Sequence, residues 1–373
     1  MLAGGAAMAS PSPSILLKQE RLLLLALAVG ILAFTFAPAY LGAGRLPALA
    51  ISAVLLAAIL GASMSVAHHA EVLARKVGDP YGTMILTLSA VMVEVIVLAI
   101  VILQTHAATL ARDSIYAAVM LDINGTLGLA ALIGGLKHGE QAYNDDSART
   151  YTAMILTAMG IAMVVPEFVP PRWWPLYGGF TIAALVMLYG VFLRMQVGPH
   201  SYFFSYTYPE KKGRRVVDPA MQLRSAYSIF VMITGVVVVG ALAEVLSEAL
   251  HHGLQGTHAP GALLALVVAV ISAGPEILTA LRAALANRMQ STVNIALGAS
   301  LSTVTLTVPA ITLLSLLLDL PVQMAMTPIQ AVLTGITLIV AAINLNDGQT
   351  NAIEGMTHFA LFLTFLMLTG LGL

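Results

Sequence analysis

The sequence contains no cysteine, which excludes disulfides, thiolate metal sites and a cysteine nucleophile. Charge is scarce as well: Asp, Glu, Lys and Arg make up only 9% of 373 residues, against roughly a quarter in an ordinary soluble domain. Neither sign is in surplus. The 17 Lys and Arg face 18 Asp and Glu, so the basic footprint needed for nucleic acid is missing. Apolar residues fill the space, at 59% of the chain and a mean hydropathy of +0.91. They form continuous runs of about 18–25 residues, the length that crosses a bilayer core as helix. The runs do not alternate, so a transmembrane β-barrel is excluded. The expected fold is an all-α polytopic membrane protein with the lipid bilayer as its solvent.

Eleven membrane helices are predicted, at 22–39, 47–74, 82–103, 113–136, 150–166, 174–195, 223–249, 260–286, 290–317, 324–344 and 353–372. Residues 1–21 read as an N-terminal cytoplasmic tail, whose small, Pro- and Ser-containing start is a poor fit to a cleavable signal peptide. With that tail inside, every Lys and Arg falls on the cytoplasmic side except Arg45, Arg112 and Arg172, as the positive-inside rule requires. The C-terminus then lies outside.

One long loop, 196–222, carries the basic run Lys211-Lys212-Gly213-Arg214-Arg215. It separates a first five-helix repeat (47–195) from a second (223–373), leaving 22–39 as an extra transmembrane helix. An odd number of crossings per repeat makes the two halves inverted. A faint repeat agrees: Ala70-Glu71-Val72-Leu73 matches Ala243-Glu244-Val245-Leu246, and each is followed by a helix with a central glutamate.

Those glutamates, Glu94 and Glu276, are the main candidates for chemistry. A charge at the bilayer centre costs about 2.5–3.5 kcal/mol on insertion scales, and no Lys or Arg lies at mid-depth to pair with either. Each could hold a proton or a cation. Gly274-Pro275 precedes Glu276, and a proline there frees backbone carbonyls that could ligate a hard cation or merely kink the helix. The following helices add Asp122 and Asn124-Gly125 in the first half. In the second they add Asn294, Gly298, Ser300, Ser302 and Thr303, read as pathway-lining groups or as close-packing contacts. Glu71 and Glu244, near helix ends, are expected at access or gating positions or as solvated end groups. His68 and His69 are read as gating residues or interhelical hydrogen-bonding partners. They lack the His-Glu-x-x-His spacing of a metalloprotease. His251, His252 and His258 read as a solvated outer loop.

Two stretches carry a family likeness. VAHHAEVLARKVGDPYGTMILTLSAVMVEVIVLAIV (66–101) resembles the bacterial ChaA-type calcium/proton and sodium–potassium/proton antiporters of the cation/calcium exchanger superfamily. ISAGPEILTALRAALANRMQSTVNIALGASLSTVTLTVPAI (271–311) resembles the second repeat of that group. The resemblance implies eleven helices in an inverted five-plus-five arrangement. It places Glu94 and Glu276 on the paired acidic residues that bind cation and proton in turn, and Asn124 and Ser300 in the partner-helix motifs. The chain departs from the Gly-Asn-x-x-Glu pattern of the broader group: Ala90-Val91-Met92-Val93-Glu94 and Ser272-Ala273-Gly274-Pro275-Glu276 lack the asparagines. Its central loop is basic where relatives are often acidic, and Asp122 has no counterpart carried over from the family.

The expected function is therefore export of Ca²⁺ across a bacterial inner membrane in exchange for protons, by alternating access at the glutamate pair, with no cofactor. A Na⁺ or K⁺/proton antiporter on the same scaffold is the alternative, with Na⁺/Ca²⁺ exchange or a cation channel further off. No nucleophile–base set supports an intramembrane hydrolase. Oligomeric state is left open.

Overall fold

The computed structural model describes residues 20–77, 81–198, 200–207, 225–255, 261–320 and 322–373, with backbone alone at 81–84 and 86. The N-terminal tail before Glu20, most of the basic loop and His258 lie outside the described residues.

The first apolar run forms α1 (Arg21–Thr35) and continues after Phe36 as α2 (Ala37–Gly42). The first half then runs through α3 (Arg45–Val77), α4 (Tyr81–Thr105), α5 (Leu110–Met120), a π-helical segment Leu121–Leu127 and α6 (Gly128–His138). It ends with α7 (Asp145–Met159) and α8 (Trp174–Val197). The second half comprises α9 (Ser225–Leu254), α10 (Ala262–Leu285), α11 (Met289–Ser302), a π-helical segment Thr303–Thr307 and α12 (Val308–Leu318). It closes with α13 (Pro328–Asn344) and α14 (Ala352–Leu371). Among the described residues, nine helices are long and apolar enough to cross a membrane; α1 and α13 are shorter apolar helices where the first and tenth spans are expected. The polytopic helical fold is as expected.

Hydrogen bonds between turns sort the helix ends into two sides. On one side, Lys137 and His138 bond to the Leu285 carbonyl, Gln141 donates to Ala284, and Arg149 reaches Asn346. A two-residue antiparallel ladder, β1 (Gln141–Ala142) with β2 (Gln349–Thr350), lies on the same side. On the other, Arg45 bonds to Gln255, the Gln323 amide donates to Ala108, and the Met326 amide to Met163. Each bond joins two turns that an eleven-span count puts on one side, so the count and the packing agree.

Two apolar cores follow from this arrangement. One joins α1, α3 and α9 with parts of α4 and α10 through Leu23, Leu55, Ile59, Val239 and Leu242. The other packs α5 to α8 against α11 to α14 around Tyr151, Met120, Leu301 and Phe365. In the second core, glycine allows backbones to touch. A Cβ on Gly355 of α14 would lie 2.2 Å from the Leu132 amide nitrogen of α6, and one on Gly135 would lie 2.3 Å from that of Ala352. Small residues at a membrane-helix interface permit such an approach. The helix α14 starts cleanly because the Asn351 side chain accepts from the Ile353 and Glu354 amides.

The first core is tied down at one end by Glu20. Its carboxylate accepts from Ser65 (3.2 Å) and Tyr227 (3.3 Å) and bonds His69 Nε2 at 2.8 Å, linking α1 to both α3 and α9. Burial pushes the Glu20 carboxyl up. The hydrogen bond and charge of His69, aided by the two hydroxyls, outweigh that and hold it below its ordinary value.

Candidate cation and proton site

The sequence places Glu94 on α4 and Glu276 on α10, the third and eighth apolar helices, and the fold brings them to one cavity of about 20 Å³. That is room for one water-sized occupant. Asp122, Ser302 and Thr303 share the lining, with Val91, Ser272 and alanines completing it. Among the described residues, no Lys, Arg or His lines it. A second cavity, about 990 Å³, meets the first at Glu276 and Ser302. It runs past Pro275 and Asn294 to His68, Glu71, Gln196 and Arg282, at the helix ends on the side of the β1–β2 ladder. Glu276 therefore stands between a wide vestibule and a narrow inner chamber.

The carboxylates are held differently. Glu94 is 6% exposed and receives Thr303 Oγ1 at 3.0 and 3.2 Å and Thr307 Oγ1 at 2.8 Å. Asp122 is 3% exposed and accepts from Ser300 Oγ at 3.2 Å. All of these hydroxyls come from the α11–π segment of the second half, while both acceptors belong to the first. Glu276 is half-buried, and no hydrogen bond holds its carboxylate among the described residues. No three acidic or histidine side chains among the described residues converge tightly enough to hold a metal ion. The arrangement is one of carboxylates around a chamber open to one side, short of a closed coordination shell.

Backbone irregularity sits elsewhere than expected. Pro275 lines the vestibule, yet α10 continues through it as helix, while Gly274 admits Leu60, whose Cδ2 would be 2.4 Å from a Cβ there. Gly274 thus serves helix packing, and α10 is not interrupted at Pro275. The wider turns occur in the partner helices, at Leu121–Leu127 and Thr303–Thr307, and at Gly160–Val164, which lines neither cavity. These π segments, in which the hydrogen bonds run to i+5, are a common device at functional sites.

Several candidate residues are redistributed. Asn124 does not line the pathway: it donates to Thr337 Oγ1 (2.7 Å), and its Oδ1 meets His358 Nδ1 (2.9 Å), on the scaffold side. Helical geometry explains this, since positions two apart lie on nearly opposite faces and Asp122 takes the inward one. Ser300 stands behind Asp122 and lines neither cavity. Asn294 lines the vestibule and donates to the Phe204 carbonyl at 2.8 Å. His68 and Glu71 lie along the vestibule, with Glu71 paired to Arg75. His69, one residue on, is turned to Glu20 and is structural. Glu244 is exposed on α9 and lines neither cavity. Thr307 was not foreseen as a partner of Glu94; its signal was the i, i+4 spacing from Thr303, which stacks two hydroxyls on one face.

A model of the sodium/calcium exchanger protein family matches residues 47–198 and 227–371, covering both halves and skipping the basic loop. The sodium-potassium/proton antiporter ChaA of Escherichia coli (strain K12) is 32% identical over 325 residues, 86% of this chain and 88% of that one. Among solved structures, native YfkE superposes with a TM-score of 0.75 at 18% identity, over 94% of this chain and 99% of its own. The H⁺/Ca²⁺ exchanger CAX gives 0.62 at 17% identity, over 94% and 89%. These last two likenesses concern the fold. Glutamates from two halves facing one chamber in a helical membrane scaffold, and a family match spanning both halves, lead to one assignment: the chain belongs to the sodium/calcium exchanger protein family, and is a multi-pass membrane transporter and not an enzyme.

Proposed function

We propose that the protein is a cation/proton antiporter whose exchange site is the Glu94–Glu276 pair. The observation that carries this reading is the single chamber lined by both carboxylates with no basic side chain among its lining residues. A buried carboxylate without a basic partner must be neutralised by a proton or by a bound cation. The two occupants exclude each other at the same oxygens, so a proton has to leave before a cation can enter. One Ca²⁺ or two protons neutralise the pair equally, which makes divalent exchange natural. Oxygen from Ser302, Thr303 and water would complete the shell that Ca²⁺ prefers.

Glu276 faces the vestibule and is the first carboxylate of the pair that an arriving ion meets. Glu94, behind it and fixed by two threonines, is the second. The vestibule opens on the side that the positive-inside rule assigns to the cytoplasm of a bacterial inner membrane, so the described conformation is the one that loads cation for export. Alternating access then requires the α1–α3–α9 unit and the scaffold of the second core to shift against each other, as in other transporters built of inverted repeats.

A Na⁺ or K⁺ cargo is the second reading. It is favoured by the likeness to ChaA, whose name gives sodium and potassium, and by the absence of amide side chains beside either glutamate.

The test is proton release from acidified inside-out vesicles, with Ca²⁺, Na⁺ and K⁺ titrated separately. Wild type should dissipate a preset pH gradient on addition of its cation, and Glu94→Gln and Glu276→Gln should each fall to the background of empty vesicles. Activity surviving both substitutions would remove the site. Silence of wild type to all three cations would remove the antiport reading.

A further inference from the structure

Among the described residues the chamber carries no basic side chain, but the vestibule leading to it does. We propose that Arg282, on the vestibule wall, is a specificity-determining residue: its fixed positive charge penalises a divalent cation twice as heavily as a monovalent one and so sets the ratio in which the two reach the glutamate pair. This rests on the antiport reading of Glu94 and Glu276 and adds to it the group that selects among the cations arriving there.

The placement follows from α10. Glu276, Thr279 and Arg282 all line the vestibule, and steps of three residues keep to one side of a helix. Six residues of rise carry Arg282 about 9 Å along the axis from Glu276. The facing wall comes from α3, through Ala67, His68 and Glu71. Two carboxylates and one guanidinium thus line the cavity, and only the guanidinium is left over. Glu276 belongs to the exchange site. Glu71 is answered one turn along its own helix by Arg75. Arg282 has no ion-pair partner among the described residues. Outside the exchange site, the described wall of this passage is therefore net positive. That sign repels a cation, so the charge acts by exclusion. An ion's energy in the potential of a fixed charge is proportional to its own charge, and the low-dielectric walls of a cleft focus that potential. Whatever factor Arg282 takes from the local concentration of Na⁺ or K⁺, it takes the square of that factor from Ca²⁺. The glutamate pair favours a divalent ion, which neutralises both carboxylates at once, and the vestibule works against it. Selectivity is then set in two places, and the outer one is open to water and salt, because Arg282 is exposed.

Arg282→Gln removes the charge and Arg282→Lys keeps it, and at an exposed position neither disturbs a core. The first readout is the half-saturating concentration for proton release with cation added from the vestibule side, any cation that is not carried being read as a competitor of one that is. At low ionic strength Arg282→Gln should lower this value about twofold for Na⁺ or K⁺ and about fourfold for Ca²⁺, the effect of one charge roughly 10 Å away in a largely aqueous dielectric. Both gains should vanish near 1 M of a bulky salt that is not transported, where the screening length falls to about 3 Å. Arg282→Lys should match wild type. The second readout needs no transport. The chain has no native cysteine, so Ala67→Cys on the facing wall reports the local potential as the ratio of its reaction rates with an anionic and a cationic thiol reagent of equal size. Adding Arg282→Gln should lower that ratio about fourfold, twofold from each reagent. The proposal is overturned if Arg282→Gln shifts monovalent and divalent cations alike, if the shift survives high salt, if Arg282→Lys behaves as Arg282→Gln does, or if the reagent ratio does not move. If wild type releases no protons to any cation, the antiport reading falls, and the reagent ratio still decides whether Arg282 sets the charge of the vestibule.

Discussion

The two halves contribute one central glutamate each, and they treat it differently. Glu94 of the first half is clamped by Thr303 and Thr307 of the second, whereas Glu276 of the second half has no reciprocal hydroxyls from the described residues of the first and borders the vestibule. The difference begins in sequence. The π segment of the first half, Leu-Asp-Ile-Asn-Gly-Thr-Leu, offers an acid to the chamber, while that of the second, Thr-Val-Thr-Leu-Thr, offers hydroxyls. A pair of repeats that were equivalent in side chains would hold both glutamates alike and give neither precedence. Here one carboxylate is fixed by hydroxyls and the other borders the vestibule, so under the proposed exchange at this pair an ion entering from the vestibule would meet Glu276 before Glu94.

This comparison can be broken most sharply by accessibility. The chain has no native cysteine, so single cysteines report without background. A membrane-impermeant, water-soluble thiol reagent applied from the vestibule side should label Glu276→Cys to completion before Glu94→Cys reacts measurably. Equal labelling would mean that both positions see the same water and that the order of binding is not built into this conformation.

The next largest effect concerns the clamp. Thr303→Val with Thr307→Val keeps shape and deletes both donors to Glu94. At about 1.5–3 kcal/mol for a hydrogen bond to a charged group, discounted because water can enter, the double variant should raise the half-saturating cation concentration roughly tenfold or more. Maximal rate should change less. Unchanged saturation would show that Glu94 does not depend on these hydroxyls when the cation is bound. A smaller effect is expected at the scaffold, where Gly355→Ala puts a methyl into the Leu132 backbone of α6. It should lower the unfolding temperature in detergent by several degrees, corresponding to the ~1–3 kcal/mol of an overpacked contact. Cation selectivity should stay as it is.

Much of this could be read in the residues. The span count follows from the apolar runs, and the inter-turn bonds such as Arg149 to Asn346 and Gln323 to Ala108 fall where the count puts them. Glu94 and Glu276 were visible because a charge without a basic partner at mid-depth is costly. Composition could not show the winding of the backbone: nothing in Thr-Val-Thr-Leu-Thr announces a π turn, and Gly274-Pro275, the obvious breaker, sits in continuous helix. Nor could it show facing. Asn124 and Asp122 are both polar and two apart, so only one could reach the chamber, and the adjacent His68 and His69, roughly 100° apart around α3, divide between vestibule and Glu20.

Glu20 bears on the comparison from outside the site, because it fastens the extra helix α1 to one helix from each half, α3 and α9. Its carboxyl is held below its ordinary value, so the folded state favours the ionised form. The sign follows from linkage: the contribution is fully present above the unfolded value of the carboxyl and is lost as pH falls through the lower, folded value. Wild type should therefore lose thermal stability in detergent on acidification below about pH 4.5, the region where free glutamate titrates. Glu20→Gln should start lower at neutral pH, lose less on acidification and meet wild type at the acid end. Parallel curves for the two proteins would show that the Glu20 contact does not couple to folding. A change in transport without a change in stability would instead mean that α1 moves relative to α3 and α9 during the cycle, and that the three helices do not shift as one unit against the scaffold.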